Sequence, residues 1–316
     1  MPSVTLAESA KLSLDMLVSG VIENVIVVDQ MFEFLPFSEI EGNSLAYNRE
    51  NALGSAGVAG VGTLVSTAVN PIDSSTNAKN PATFTQVNVS LTTILADAEV
   101  NGLIQATRST INDQKGAQVA SKAKHLGYIF QHMFINGTGA ANQFNGLLNL
   151  VPTGQKVATG ANGGALSFEF LDQLLDLVTA NNQRVDFLLM PSRTIRSYKA
   201  LLRTAGGGTI EEFITMPSGD KVPSYSSVPI FRNDRIPVNQ VKGTGSNQTT
   251  IFAGAWDNGS MTGGISGLTA KGAAGIRVED VGIAEDKDET ITRLKWYASL
   301  ALFSEKAISS ADGITN

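Results

Sequence analysis

The stretch from Ile111 to Gly139, INDQKGAQVASKAKHLGYIFQHMFINGTG, decides how this 316-residue chain is read. Val119, Ala123, Leu126, Ile129, Phe130, Met133 and Phe134 recur at steps of three and four, which sets one apolar stripe along one face of a helix. Lys115, Gln118, Ser121, Lys122, Lys124 and Gln131 take the other face, so the segment is amphipathic and not a membrane span. Over 111–135 it is roughly 37 Å long at ~1.5 Å per residue, longer than a typical globular helix and suited to act as a beam under a flat subunit. Asn136 and Gly137 are expected to end it, because both residue types enter the left-handed conformation at low cost.

Ahead of this beam the chain is built for reaching. Thr5-Leu6-Ala7-Glu8 is a capping box opening a helix with Leu6, Ala10, Leu14, Leu17, Val18, Val21 and Ile22 on one side. A short leading helix of this kind is an arm seeking a groove. Phe32, Phe34, Leu35 and Phe37 around Pro36 form the anchor where the arm meets a body. From Glu41 to Leu95 small and polar residues dominate, and the aromatics fall to Tyr47 and Phe84. Thr83 to Leu91 alternates as a strand with one covered face. Its antiparallel partner is expected from Ser44 to Asn48 and then Gly62 to Val69, around a turn at Asn70-Pro71-Ile72-Asp73-Ser74-Ser75. A long hairpin so poor in large apolar residues builds no core of its own; another subunit is its expected support, with a surface loop as the alternative. Ala96 to Arg108 reads as a short helix with Leu95, Val100, Leu103 and Ile104 inward.

Beyond the beam the pattern becomes that of an α/β domain. Ser167 caps a helix carrying Phe168, Leu171, Leu174, Leu175 and Val178; Val185 to Met190 is a short buried strand; Pro191 and Ser192 open a second helix. Val228-Pro229-Ile230-Phe231 and Ile236-Pro237-Val238 read as edge strands, since proline cannot donate to a ladder. Thr249 to Ala253, Ile276 to Ile283 and Thr290 to Phe303 supply further strands, the last with Arg293, Lys295 and Tyr297 on one face and Leu294, Trp296 and Ala298 on the other.

Composition narrows the function. With 42% hydrophobic and only 16% charged residues, much of the surface is covered by small polar residues or by other copies of the chain. The absence of cysteine excludes disulfide scaffolds, thiolate metal sites and cysteine nucleophiles. No stretch approaches the ~18 apolar residues of a bilayer span and no secretion signal opens the chain, so a soluble, cytoplasmic setting is expected. The net charge of −6 is uneven: −8 over residues 1–100, +5 over 101–203 and −3 over 204–316. Such segregation sets an acidic first third against a basic middle third, in the same subunit or the next.

Chemistry is scarce. His125 and His132, the only histidines, sit seven positions apart on the long helix, roughly 10 Å along its axis and too far for one zinc. Gly57 to Gly62 and Gly206 to Gly208 match neither a dinucleotide fingerprint nor a phosphate loop. The run Glu285, Asp286, Asp288 and Glu289 lacks the oxygen spacing of a calcium loop and reads as a solvated hairpin tip. No metal, no cofactor and no catalytic group is therefore expected, and no basic aromatic patch points to sequence-specific nucleic-acid binding.

Several stretches resemble the major capsid proteins of tailed bacteriophages with the Hong Kong 97-type fold. They are Gly20-Val21-Ile22-Glu23-Asn24; Glu41-Gly42-Asn43-Ser44 with Tyr47-Asn48-Arg49-Glu50; Phe134-Ile135-Asn136-Gly137-Thr138-Gly139 followed by Asn145-Gly146-Leu147-Leu148; and Met190-Pro191 entering a helix. The order of elements resembles that family over nearly the whole chain.

The resemblance implies an α+β Hong Kong 97-type capsid fold: an N-arm (1–40), an extended β-hairpin loop (41–95), a peripheral domain (96–164) with a spine helix over 111–135, and an axial domain (165–300) whose strands return to the peripheral domain. Residues 301–316 are then a C-terminal tail. It further implies a virion shell protein, assembled in the host cytoplasm, that forms hexamers and pentamers of itself. A separate scaffolding protein, a portal and a cement protein are its implied partners; with the arm beginning at residue 5, an internal scaffold is expected to be either cleaved off or replaced by that separate protein. Double-stranded DNA is held by enclosure, and no membrane is involved. Arg49 and Glu50 are candidate inter-subunit contacts at the base of the loop, with pairing inside the hairpin as the alternative; Lys122 and Lys124 are candidates on the spine helix. An encapsulin-like compartment enclosing enzymes shares the fold and is the second reading. An enzyme using Glu211, Glu212, Asp220 and Lys221, and a glycine- and threonine-rich adhesive module, are the readings from other classes.

Overall fold

The computed structural model describes Met31 and residues 34–76, 78–108, 113–180, 184–204, 212–216, 219 and 221–315. The expected arm helix from Thr5 lies outside the described residues, as do Glu211 and Asp220. In chain order the elements are β1 (Phe37–Ile40), β2 (Ser44–Ala52), β3 (Thr83–Ser90), β4 (Thr92–Asn101), α1 (Gly102–Arg108), α2 (Gln114–Asn136), α3 (Leu147–Leu150), β5 (Lys156–Val157) and β6 (Gly164–Ala165). They continue with α4 (Phe168–Asp176), β7 (Phe187–Met190), α5 (Ser192–Thr204), β8 (Glu212–Thr215), β9 (Lys221–Tyr225), β10 (Val228–Arg232), β11 (Gln240–Lys242) and β12 (Gly245–Gly254). The last four strands are β13 (Ile265–Ala270), β14 (Arg277–Ile283), β15 (Glu289–Leu302) and β16 (Ile308–Thr315). The described residues before Ser44 and after Val89 form one compact unit, and those of Ser44–Val89 form a second.

The beam is α2, 23 residues and roughly 34 Å long. Asp113 caps it by accepting the Lys115 N–H at 3.1 Å, so the helix starts three residues later than its pattern suggested. Its buried positions include Leu126, Phe130, Met133 and Phe134, which belong to the expected stripe. The stop works differently from expectation. Gly137 is not left-handed (φ −57, ψ 132); its N–H donates to the Met133 carbonyl at 2.8 Å, and its own carbonyl accepts from Gly146 N–H at 2.8 Å. A Cβ on Gly137 would sit 2.6 Å from the Met133 carbonyl oxygen and overlap that of Phe144. Glycine is needed there for close backbone approach, not for a positive φ.

Two sheets fill the first unit. The smaller runs β1-β13-β15-β14, with β4 also paired to β15. The strand β4 corrects the helix expected over 96–108: residues 92–101 are extended and pair antiparallel with β15 over ten positions, and only Gly102–Arg108 is helical. The period there is two. Ile94, Ala98 and Val100 are buried on one face, whereas Leu95 is 54% exposed on the other. Phe130 of α2 packs its ring 4.6 Å from Trp296 of β15 and 5.5 Å from Phe144, at the centre of the core that α2 shares with β4 and β15.

The larger sheet runs β5-β16-β12-β7-β10-β9-β8, with β11 on β12 and β6 on β16. The helices α4, capped by Ser167 as expected, and α5 pack on it through Leu171, Leu174, Tyr198 and Leu202. Three expectations are corrected here. The strand β10 is interior, between β7 and β9, and tolerates Pro229 because its pairing with β7 begins only at Ile230. Residues 236–238 are not a strand. In the expected tail of 301–316, residues 301–315 are built into the sheets: Ala301 and Leu302 complete β15, and β16 lies inside the sheet, antiparallel to β12, with Ser309 Oγ donating to the Leu174 carbonyl at 2.7 Å.

Candidate assembly site

The unit Ser44–Val89 is a two-stranded ribbon, β2 on β3, with a long tip. Asn51 donates to Thr85, while the Ser55 N–H donates to the Asn80 carbonyl at 2.9 Å and the Asn80 N–H donates to Ser55 Oγ at 2.8 Å. Since one partner's number rises as the other's falls, the strands are antiparallel. On β3 only Val87 and Val89 are half-buried among exposed neighbours, the alternation the sequence carries. Gly62–Val69 does not extend β2. Val58 and Thr76 each bridge to Val69, and the tip folds around Ala68, against whose carbonyl carbon a Cβ on Gly57 would press at 2.9 Å. The expected turn forms, with Asn70 and Asp73 side chains accepting the N–H groups of Ile72 and Ser75 at 2.9 Å.

This ribbon leaves its large apolar side chains uncovered: Leu53 is 81% exposed, Leu64 71%, Ile72 92% and Phe84 66%. Ordinary surfaces carry single exposed apolar residues, whereas a concentration on one slender element marks an interaction surface.

In the other unit, β4, β15 and β14 form a plate with its own charged contacts. Arg293 of β15 grips Asp97 of β4 through two parallel bonds, Nε to Oδ1 and Nη2 to Oδ2, each 2.8 Å. That hydrogen-bonded guanidinium holds the Asp97 carboxyl below the usual carboxylate range, and the charge of Lys122 adds a weaker pull. On the other side Glu279 of β14 stands opposite Arg293 and pairs with Lys295, which lowers its carboxyl in turn. Lys115, in the first turn of α2, reaches Asp280 of β14 at 2.8 Å. These charges fix the register of three strands and tie the beam to the plate.

Of the four candidate contact residues, two are on the ribbon and two on α2. Arg49 and Glu50 are successive residues on β2 and face opposite ways. Arg49 lies over the Tyr47 ring at 5.5 Å, with Nη2 3.3 Å from its hydroxyl, while Glu50 is exposed. Lys122 is half-buried and Lys124 exposed on α2. His125 and His132 are exposed on the same helix. Of the residues considered for an enzyme, Lys221 begins β9 and is exposed. The strands β4 and β16 and the Arg293–Asp97 clamp escaped the sequence reading, although the alternation Ile94, Ala96, Ala98, Val100 marks β4.

Among the described residues, the exposed apolar side chains of the ribbon are the candidate surface for another protein. Comparison with known proteins agrees. No curated protein matches the chain in sequence. Among solved structures, the SrpI encapsulin of Synechococcus elongatus is similar over 99% of this chain and 96% of its own, at 16% identity and a TM-score of 0.72. The capsid protein of cyanophage A-1(L) is similar over 99% of this chain and 100% of its own, at 15% identity and a TM-score of 0.64. A capsid protein of the native GTA particle covers 98% of each chain, at 14% identity and a TM-score of 0.62. Phage capsids predominate among these structural relatives, and the chain has the α+β Hong Kong 97-type capsid fold of shell-forming proteins. The family model of the type 2A encapsulin shell protein, SrpI-like, matches residues 131–315. Covering more than half of the chain, from the end of the beam to the last strand, this match makes the protein a member of the SrpI-like type 2A encapsulin shell family.

Proposed function

We propose that the chain assembles with copies of itself into a closed protein shell of the encapsulin type, a compartment whose contents are protein. The observation that carries this reading is the family match over residues 131–315. The shell does no chemistry; its work is done by contacts. The ribbon within 41–95 lies on a neighbour and covers Leu53, Leu64 and Ile72, while the plate and beam of 96–164 and the larger sheet of 165–300 act as peripheral and axial tile. Arg49, steered by Tyr47, and Glu50 make charged contacts at the ribbon's base, and Lys122 and Lys124 make them on the beam. Interfaces of ~1,200–2,000 Å² repeated around each copy give a stable particle without any single strong bond.

A second reading, a phage shell enclosing double-stranded DNA with scaffolding, portal and cement proteins as partners, is favoured by the cyanophage and GTA capsid relatives. The net charge of −6 suits enclosure of either content without grip on nucleic acid. The test is to express the chain, image the product by negative stain, and analyse particles recovered from the source organism for nuclease-protected DNA and for co-purifying protein. Closed shells holding a defined protein and no DNA are expected. Shells packed with protected DNA would transfer the assignment to the phage reading, and a monomer without particles would overturn both.

A further inference from the structure

The strand β14 ends the order of its sheet and, among the described residues, pairs only with β15, so its outer edge offers backbone groups that no described strand takes up. Along that edge Ile276 is 39% and Val278 54% exposed, although Val278 shares a face with fully buried Leu294. Arg277 and Glu279 alternate with them on the opposite face, beside Lys295 and Arg293. Residues 277–280 keep regular register with β15, and the irregularity in β14 begins only after Asp280. Half of this edge is therefore straight, with Ile276 and Val278 on one face ahead of Asp280, whose carboxylate is held by Lys115, and with one positive and one negative charge on the other.

We propose that this edge pairs, antiparallel and about a two-fold axis through Val278, with the same strand of a second copy. The occupant follows from the charge pattern. When Val278 meets Val278, Arg277 of each copy stands directly opposite Glu279 of the other, giving two reciprocal opposite-charge pairs on one face. Sliding by the smallest step that keeps both faces in place puts Arg277 opposite Arg277, or Glu279 opposite Glu279. Both alternatives set like charges against each other, so the edge accepts itself in one register and refuses its neighbours. Five residues from each copy bury much less than the ~1,200 Å² of a stable complex. The pairing therefore closes inside the shell and forms no dimer of free subunits. It rests on the shell reading above and adds to it a symmetric contact between tiles.

The chain has no cysteine, which makes the test direct. Opposite residues of an antiparallel pair have Cα atoms ~4.5–5.5 Å apart, inside the 4.4–6.8 Å span of a disulfide. Shells of Val278→Cys, oxidised after assembly, should run as dimers on a non-reducing gel. Shells of Ile276→Cys should not, because in this register the two thiols lie four residues, or ~13 Å, apart along the strand. In the unaltered protein, amide hydrogens of 276–280 should exchange at least tenfold more slowly in shells than in free subunits, which reads the same contact if a variant fails to assemble. Wild-type shells in which Val278→Cys stays monomeric, in which both variants crosslink alike, or in which these amides gain no protection would overturn the pairing and leave the shell reading standing. Failure of the wild type to form shells would instead remove the reading on which it rests.

Discussion

Replacing residues 57–78 by Gly-Gly is the most informative perturbation. It removes the ribbon's tip but keeps the paired Ser55 and Asn80 that close it. Both buried cores are built from residues outside Ser44–Val89, so the remaining body should unfold within ~1 kcal/mol of the parent, the shorter loop adding little. The deletion removes Val58, Val61, Leu64, Val65 and Ile72, all more than half exposed. Covering half of such surface on a neighbour is worth roughly 1 kcal/mol per side chain, hence about 5 kcal/mol per ribbon. Losing that weakens each contact by about 10³- to 10⁴-fold. Calorimetry should find a melting temperature within ~2 °C of the parent, while sedimentation and electron microscopy find free subunits or open fragments. Full-size shells at the parent's concentration would refute the interlocking role of the ribbon. A melting temperature lowered by more than ~10 °C would refute the independence of the two units.

Further outcomes are open to measurement. Phe130→Ala empties the centre of the aromatic cluster beneath the beam and should cost about 3–5 kcal/mol in denaturant unfolding. Gly137→Ala forces a methyl group onto the Phe144 and Met133 carbonyls and should lower the yield of folded subunit sharply, whereas the same change at Gly127, where a Cβ meets nothing within 4 Å, should be neutral or slightly stabilising. Asp97→Asn breaks a clamp whose arginine is partly exposed and should cost about 1 kcal/mol at neutral pH. Because the folded Asp97 carboxyl lies below its ordinary value, its contribution is fully present above about pH 4 and drains away as pH falls through the folded value. Unfolding followed against pH should therefore show a shallower acid-side loss in the variant than in the parent.

The periodicity of 111–139, the alternation of 83–91, the Ser167 cap and the all-apolar run Phe187–Met190 are local signals, and each became the element it specifies. They pointed to a ribbon without a core of its own, and the shell reading came from the resemblance of the order of elements to tailed-phage capsid proteins. What failed was non-local. Ala96 to Val100 lies extended because β15 supplies ten partners from nearly two hundred residues away, overriding a stretch rich in helix-compatible residues. The strand β16, ISSADGIT, has too few large apolar residues to announce itself, and its buried serines are tolerated only because Ser309 finds the Leu174 carbonyl and Ser310 the Asp312 carboxylate. Chain-local patterning thus determined which segments are stiff, slender or covered. Pairing energies between distant strands decided where the last strand goes, which carboxylate Arg293 clamps, and that β14 ends its sheet among the described residues.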